Sequence, residues 1–308
     1  MRQLKPILTF AKRSAAIWVT KTGKANEGAM KLMQHFVPRG DRRARVALGF
    51  ATALLASVTL SAAVNGAGLN DTGFTTCTDA AGATVSCTAA SAVPGQDARY
   101  GRDAAAGTSA LTKVGGGANG FDFTKIRNNG VVSPPLPATA PLGTAPGEWG
   151  CTYDNTTGLM WEVKTTSGLR NSGNSYTWYS ANSATNGGGV GTANGGSCFA
   201  NGRCDTEKFT QDVNATNMCG HNDWRMPTVR ELSGLLRLGA MEPKIDTGYF
   251  PNTSSGDSYV YWSGSPNQAF PNIVWWVEFL YGQSLAGPGF NSSQSSTPAK
   301  VRLVRSGQ

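Results

Sequence analysis

The chain is poor in histidine and in charge, and it has no cysteine pair with metal-binding spacing. Only two of its 308 residues are His, and charged residues make up 15%. No C-x2-C pair is present, and no Gly-x-Ser-x-Gly motif accompanies His221, the one histidine after residue 67. These absences argue against a zinc site and against a Ser/His/Asp or Cys/His enzyme. We therefore predict no metal, no cofactor and no catalytic residue.

Positive charge is concentrated at the N-terminus. The formal net charge is +8, but 11 of the 27 Lys and Arg residues lie in residues 1–67, beside only Glu27 and Asp41. Residues 68–308 hold 16 basic and 17 acidic residues and are nearly neutral. A nucleic-acid binder needs a basic surface to neutralise phosphates, so this balance argues against a nucleic-acid partner.

Residues 1–67 have the parts of an export leader. A basic stretch ends in Arg42-Arg43 and Arg45, an apolar run follows at 46–64, and small residues close the run. The run is about as long as the shortest membrane span, so an uncleaved anchor is an alternative. The arginine pair also allows a twin-arginine signal. We predict an exported protein, periplasmic, surface-bound or secreted, that meets the membrane only through export or an uncleaved leader.

All six cysteines lie after this leader. An even number in an exported chain is typical of a disulfide framework. The short loops favour Cys77 with Cys87 and Cys198 with Cys204, which leaves Cys151 with Cys219. Fifteen pairings are possible, and the sequence alone does not decide among them.

Composition divides the remainder of the chain in two. Residues 68–150 are rich in Gly, Ala and Pro, which bury little surface, and predict a small disulfide hairpin at 72–90 followed by a mostly extended linker. Within this linker, the Phe121-Asp122-Phe123 segment is a candidate for docking on the main domain. Residues 151–308 hold six of the eight tryptophans. This second region predicts one domain of ordinary size.

The pattern of residues 151–308 predicts an α+β fold with two helices, a mainly antiparallel twisted sheet and long loops. Thr228 and Glu231 form a capping box, and Gly239 is placed to end that helix. A second helix is predicted from Asp205 or Thr206 to Cys219-Gly220. Strands are predicted at 158–165, 259–265, 273–281 and 300–305, and surface loops at 167–203 and 282–299. In the third strand, alternating apolar residues predict that both faces are covered.

Several short strings, taken in order, resemble one exported bacterial family. They are Gly158-Leu159-Met160-Trp161-Glu162, Asn222-Asp223-Trp224-Arg225-Met226-Pro227-Thr228 with Glu231-Leu232, Ile245-Asp246-Thr247, Tyr249-Phe250-Pro251, Tyr261-Trp262-Ser263 and Val301-Arg302-Leu303-Val304-Arg305. The region from 151 to 308 resembles the C-terminal domain of collagen-like adhesins, the Lcl C-terminal domain family. The order and spacing of the strings make the resemblance more specific than any one of them.

The resemblance implies a C-type-lectin-like fold related to the formylglycine-generating-enzyme domain. It also implies that the motif residues are structural: Trp161, Asp223, Trp224, Arg225, Pro227, Thr228, Glu231, Trp262 and Arg302. The family's namesake implies binding to sulfated polysaccharides. This chain departs from that pattern, since residues 68–308 are nearly neutral and contain no Gly-X-Y tract.

Aromatic and amide side chains near the loops are the predicted ligand contacts. Exposed aromatic rings stack on sugars and anchor protein interfaces. Some lectin-like proteins of this type are similar to the variable targets of diversity-generating retroelements, whose substituted positions lie near the C-terminus. The predicted contacts are Trp178, Asn267, Gln268, Phe270, Asn272, Trp275, Phe290 and Asn291.

Four acidic residues beside the ordered elements are candidates for acid–base chemistry, and each also has a structural explanation. The capping box accounts for Glu231, a turn accounts for Asp246, and pairing with a core arginine such as Arg225 or Arg302 accounts for Glu162 or Glu278. The structural readings argue against an enzyme.

We therefore predict an adhesin-like surface or secreted protein that binds an extracellular glycan or protein through two loop regions, 167–203 and 264–299. The alternatives are a structural subunit of a surface assembly, a variable target protein and, more remotely, a carbohydrate-active or modifying enzyme.

Overall fold

The computed structural model describes residues 68–253, 260–270, 273–285 and 297–307. The described residues all belong to one compact unit. The export leader predicted at 1–67 lies outside the described residues. Across the described ranges, no helix is both long and apolar enough to cross a membrane.

A four-stranded antiparallel sheet has the order β3-β4-β5-β9. Its strands are Phe123–Arg127 (β3), Trp149–Asp154 (β4), Leu159–Glu162 (β5) and Val304–Ser306 (β9). The β4–β5 turn uses Gly158, whose φ of 73° favours glycine. The predicted strand at 158–165 is confirmed in its first part, whereas the strand predicted at 300–305 is regular only at its end.

The segment before residue 150 is part of this sheet. Phe121 and Phe123 are each 1% exposed, and β3 pairs with β4 from Phe123 to Arg127. A 3-10 turn, Asp97–Arg99, and a helix, α1 (Gly101–Gly107), precede it. The prediction of a mostly extended linker is therefore wrong. The docking expected for the Phe121-Asp122-Phe123 segment is confirmed, since Phe121 and Phe123 pack in one core cluster with Trp161. The predicted hairpin is confirmed as β1 (Cys77–Thr78) and β2 (Thr84–Val85).

A second, three-stranded antiparallel sheet has the order β6-β7-β8. Its strands are Val260–Pro266 (β6), Val274–Glu278 (β7) and Gln283–Leu285 (β8). The chain before β9 runs beside β6: Lys300 N–H donates to Val260 O (2.9 Å), and Trp262 N–H donates to Lys300 O (2.9 Å). This segment therefore ties the two sheets together.

Strand β7 contributes to two hydrophobic clusters. Val274 and Trp276 pack in one cluster with Trp262 and Phe209. Val277 packs in the other, which holds Trp161, Phe121, Phe123, Phe250 and Tyr261. The prediction that both faces of this strand are covered is confirmed.

Both predicted helices are present, and their N-termini are confirmed. The helix α2 (Thr206–Ala215) is capped by Asp205, whose side chain accepts from Lys208 N–H at 2.8 Å. It ends before the predicted Cys219-Gly220, which lie in a separate 3-10 turn. The helix α3 (Val229–Ser233) has the predicted capping box and ends at Gly234, five residues before the predicted Gly239. Leu235 and Leu236 follow α3 in tight turns and are still buried. Apolar spacing therefore predicted their burial but overestimated the length of the helix.

All three favoured disulfides are formed: Cys77–Cys87, Cys151–Cys219 and Cys198–Cys204. No described cysteine is free. The structure thus selects one of the fifteen pairings that the sequence left open.

Replacing Thr228 with Ala should lower the free energy of unfolding by about 1 kcal/mol, because the capping hydroxyl is lost. Thr228 Oγ1 accepts from Glu231 N–H (3.2 Å), and Glu231 Oε2 accepts from Thr228 N–H (2.7 Å). Urea denaturation would measure the change, with Thr228→Ser as the control that keeps the hydroxyl. Equal loss in both variants would show that the cap is not the cause.

Candidate functional site

A half-open groove of about 590 Å³ lies beside α2. We call it the α2 groove. It is lined by Trp178, Tyr179, Ser180, Asn182, Thr185, Thr206, Glu207, Thr210, Gln211, Asn214, Arg225, Met226, Thr228 and Gly264. Its volume falls within the roughly 300–1,000 Å³ of small-ligand sites. A smaller hollow of about 360 Å³ lies beside Asn128, Arg170 and Met218.

The wall around Tyr179 is held by hydrogen bonds on both sides. Tyr179 N–H donates to the Thr206 hydroxyl oxygen (3.0 Å), and that hydroxyl donates to Tyr179 O (2.9 Å). On the other side, Thr192 N–H donates to Trp178 O (3.0 Å). The wall is therefore positioned by the fold before any ligand arrives.

The two charged side chains that line the groove are both engaged. Arg225 donates to Glu231 through two bonds, of 2.9 and 2.6 Å, and Glu207 Oε2 accepts from Ala181 N–H at 2.7 Å. Burial acts to raise the pKa of Glu231, but hydrogen bonds from Arg225 and Thr228 outweigh it, so that this pKa lies below its usual value. Glu231 is thus ionised at neutral pH and offsets the charge of Arg225.

Uncommitted polar groups line the same groove. None of the described residues hydrogen-bonds to the Tyr179 hydroxyl or to the side-chain amide of Gln211. The Asn182 carboxamide oxygen accepts from Ala184 N–H (3.0 Å), and no described residue accepts from its NH2 group. These groups can exchange water for the hydroxyls or amides of a ligand.

Trp178 was predicted as an exposed ligand contact, and that exposure is wrong. The side chain is 2% exposed and packs in the core with Trp262 and Trp276. Its indole N–H donates to Ser263 O at 3.0 Å. The prediction of exposure rested on the polar loop that follows Trp178 in sequence. In the fold, the ring instead packs behind β6 and supports the floor of the groove.

The other predicted contacts lie away from the α2 groove or outside the described residues. Gln268 and Phe270 are exposed, and Trp275 is half-buried. Asn267 Oδ1 accepts from Ala269 N–H (2.9 Å) and so shapes the β6–β7 turn. Asn272, Phe290 and Asn291 lie outside the described residues, and ligand contact at all these positions stays a prediction.

The two predicted loop regions do meet at one point. Gly187, in the first loop, has a φ of 65° and sits so close to Pro266 that a Cβ there would collide with the proline ring. Pro266 ends β6, at the start of the second loop. The fold therefore brings the start of the 264–299 region to the rim of the 178–190 segment.

Glu162 belongs to a buried ionic cluster rather than to a catalytic pair. Glu162 Oε1 accepts from Lys164 Nζ (2.7 Å), and its Oε2 accepts from Leu303 N–H (2.9 Å). Arg302 donates to the backbone O of Glu162 at 2.7 Å. Pairing of the Glu162 carboxylate with a core arginine side chain was predicted and is wrong, since Lys164 takes that place. Burial lowers the pKa of Lys164 to about 8, although the negative charge of Glu162 acts to raise it.

Three other motif residues, Asp223, Trp224 and Trp262, make contacts within the fold. Asp223 pairs with Arg305 at 2.7 Å. The Trp224 indole donates to Met218 O (3.1 Å), and the Trp262 indole donates to Tyr176 O (3.0 Å). These bonds hold the turn between α2 and α3 against β9 and the core.

Two further sets of acidic side chains lie outside the groove. The carboxylates of Asp71, Asp97 and Asp103 approach one another within 4.8 Å. Asp103 accepts from Gly73 N–H (2.5 Å) and Gly120 N–H (2.7 Å), and it fixes the N-terminal segment. Glu278 is half-buried, and burial raises its pKa.

Sequence reasoning placed a site in the 167–203 loop but missed Tyr179, Gln211 and Asn182. Gln211 is on the outer face of α2, where a polar residue is ordinary. The signal that identifies these residues is spatial, because the groove joins four segments that are separate in sequence.

The comparisons with known proteins rest on one family. A model of the Lcl C-terminal domain matches residues 150–305. No curated protein and no solved structure matches the chain. The matched range covers the second sheet, α2, α3 and the α2 groove, but it leaves β3 of the first sheet outside. The three disulfides and the family fit an extracellular or exported protein. The chain belongs to the Lcl C-terminal domain family.

Proposed function

We propose that the chain is an exported, adhesin-like protein of the cell surface or the surrounding medium that binds an extracellular ligand in the α2 groove. The observation that carries this proposal is the groove itself, with a rigid wall and side chains that have no partner among the described residues. Preorganised groups lose less conformational freedom on binding, which favours recognition of an external ligand.

The fold and the compartment support the proposal. A C-type-lectin-like arrangement is in keeping with the antiparallel sheets, the two helices flanking the groove and the long disulfide-bonded loops. Export agrees with the disulfides, since these persist in oxidising compartments. The engagement of Glu162 and Glu231 in structural contacts favours a binding role over an enzymatic one.

An array of immobilised glycans and extracellular matrix proteins, probed with the full oxidised chain, tests the proposal. We expect Gln211→Ala to reduce retention on the bound spots by about tenfold, because a hydrogen-bonding group of the groove is lost. Gln268→Ala makes the same chemical change at an exposed glutamine of the alternative 264–299 region, and it should leave retention unchanged if the groove is the site.

The opposite pattern, with loss only in Gln268→Ala or Trp275→Ala, would move the site to the 264–299 region and overturn the groove assignment. Failure to bind any spot would favour a structural subunit of a surface assembly. Circular dichroism of each variant checks that the fold is kept.

A further inference from the structure

We infer that the α2 groove takes an electrically neutral, hydroxyl-rich glycan and discriminates against polyanions and extended peptides. This inference rests on the proposed function, because it specifies the ligand class of the same groove. It departs from the sulfated polysaccharides that the family resemblance implied.

Charge is the first reason. Arg225 is the one cation that lines the groove in the described chain, and Glu231 engages it through two bonds. Glu207 adds a carboxylate to the same wall. Recognition of sulfate or carboxylate groups favours arginine or lysine with free donors. A polyanion entering this groove meets no uncompensated positive charge and is repelled by Glu207.

The chemistry of the free groups is the second reason. Tyr179 offers a hydroxyl and a partly exposed ring, while Gln211 and Asn182 offer amide donors that no described residue uses. Neutral donors and acceptors match sugar hydroxyls, which both give and accept hydrogen bonds. An aromatic ring beside them can cover the apolar face of a sugar. The groove therefore supplies both contacts that a neutral glycan needs.

The state of the backbone is the third reason. An extended peptide commonly binds by adding a strand to a free edge. Along the wall, Thr177 N–H donates to Cys204 O (3.2 Å) and Ser180 N–H donates to Val190 O (3.0 Å). Tyr179 N–H is taken by Thr206. These backbone donors are already used, so peptide recognition by strand addition is disfavoured.

Isothermal titration of the full oxidised chain with neutral hexasaccharides of glucose, mannose and N-acetylglucosamine, and with a heparin hexasaccharide, tests the inference. At least one neutral probe should bind, with a Kd that changes less than about twofold between about 50 and about 500 mM NaCl, because no ion pair forms. Heparin should not bind. Tyr179→Phe keeps the ring but removes the hydroxyl, so it should raise the Kd for the neutral probe about fivefold.

A charge-gain pair supplies a second, independent readout. Gln211→Lys places a cation in the groove, whereas Ala215→Lys places one on the same helix outside the lining. Only Gln211→Lys should acquire heparin binding, and that binding should weaken as salt rises.

The two levels of the proposal fail in different ways. Salt-sensitive heparin binding by the wild type that Gln211→Ala removes would overturn the neutral class but keep the groove as the site. A peptide or matrix protein that binds the groove in place of every neutral probe would also overturn the neutral class. Neutral-glycan binding that no groove variant changes would overturn the proposed site.

Discussion

Replacing Glu162 with Gln should lower the free energy of unfolding by about 3–5 kcal/mol, the usual cost of removing one partner from a buried ionic cluster. Glu162, Lys164 and Arg302 are almost fully buried, and Arg170 lies within electrostatic range of Glu162. No other carboxylate in the described chain is hydrogen-bonded to these three cations. The Glu162→Gln change would therefore leave the buried Arg302 and Arg170 without a neutralising carboxylate and would lower the pKa of Lys164 further, towards its neutral form.

Urea denaturation of the oxidised chain, followed by tryptophan fluorescence, measures this loss. Glu278→Gln is the matched control, because Glu278 is half-buried on β7 and its carboxylate makes no ion pair or hydrogen bond with the described residues. The free energy of unfolding of this variant should differ from that of the wild type by less than about 0.5 kcal/mol. Lys164→Met should cost less than Glu162→Gln, since Arg302 and Arg170 continue to neutralise the carboxylate. A loss below about 1 kcal/mol in Glu162→Gln would contradict this account of the cluster.

The parts of the fold that the sequence predicted correctly depend on short-range chemistry. The capping box at Thr228 and the cap at Asp205 are local patterns, and both were found where the sequence placed them. The cysteine pairing followed loop length. The alternating residues of β7 predicted burial on both faces because side chains in a strand point alternately to opposite sides.

The parts that were missed depend on contacts between distant segments. Strand β3 lies in a Gly- and Pro-rich region, and its pairing with β4 decides its structure where its own composition does not. Trp178 resembled a surface ring because polar loop residues follow it, yet the fold packs it behind β6. The groove residues come from four separate segments, so no single stretch of sequence indicated them together.

Removal of the Cys151–Cys219 disulfide should destabilise the chain more than removal of Cys198–Cys204. Cys151 and Cys219 are 68 residues apart and both fully buried, whereas Cys198 and Cys204 are six residues apart. A cross-link restricts the unfolded chain more when it closes a longer loop. We expect a loss of about 4 kcal/mol for the Cys151→Ala/Cys219→Ala pair and about 2 kcal/mol for the Cys198→Ala/Cys204→Ala pair.

Urea denaturation of the two double variants under oxidising conditions measures both losses, and the wild type in reducing buffer should lose more than either variant. The reverse order of the two losses would mean that strain or contacts at the short loop outweigh loop closure. Ligand retention in the α2 groove also distinguishes the two double variants, because Cys204 directly precedes Asp205, the N-cap of α2. Loss of Cys198–Cys204 should loosen the start of α2 and weaken ligand retention although global stability falls little. Loss of Cys151–Cys219, at the far end of α2, should reduce retention only as the whole fold unfolds.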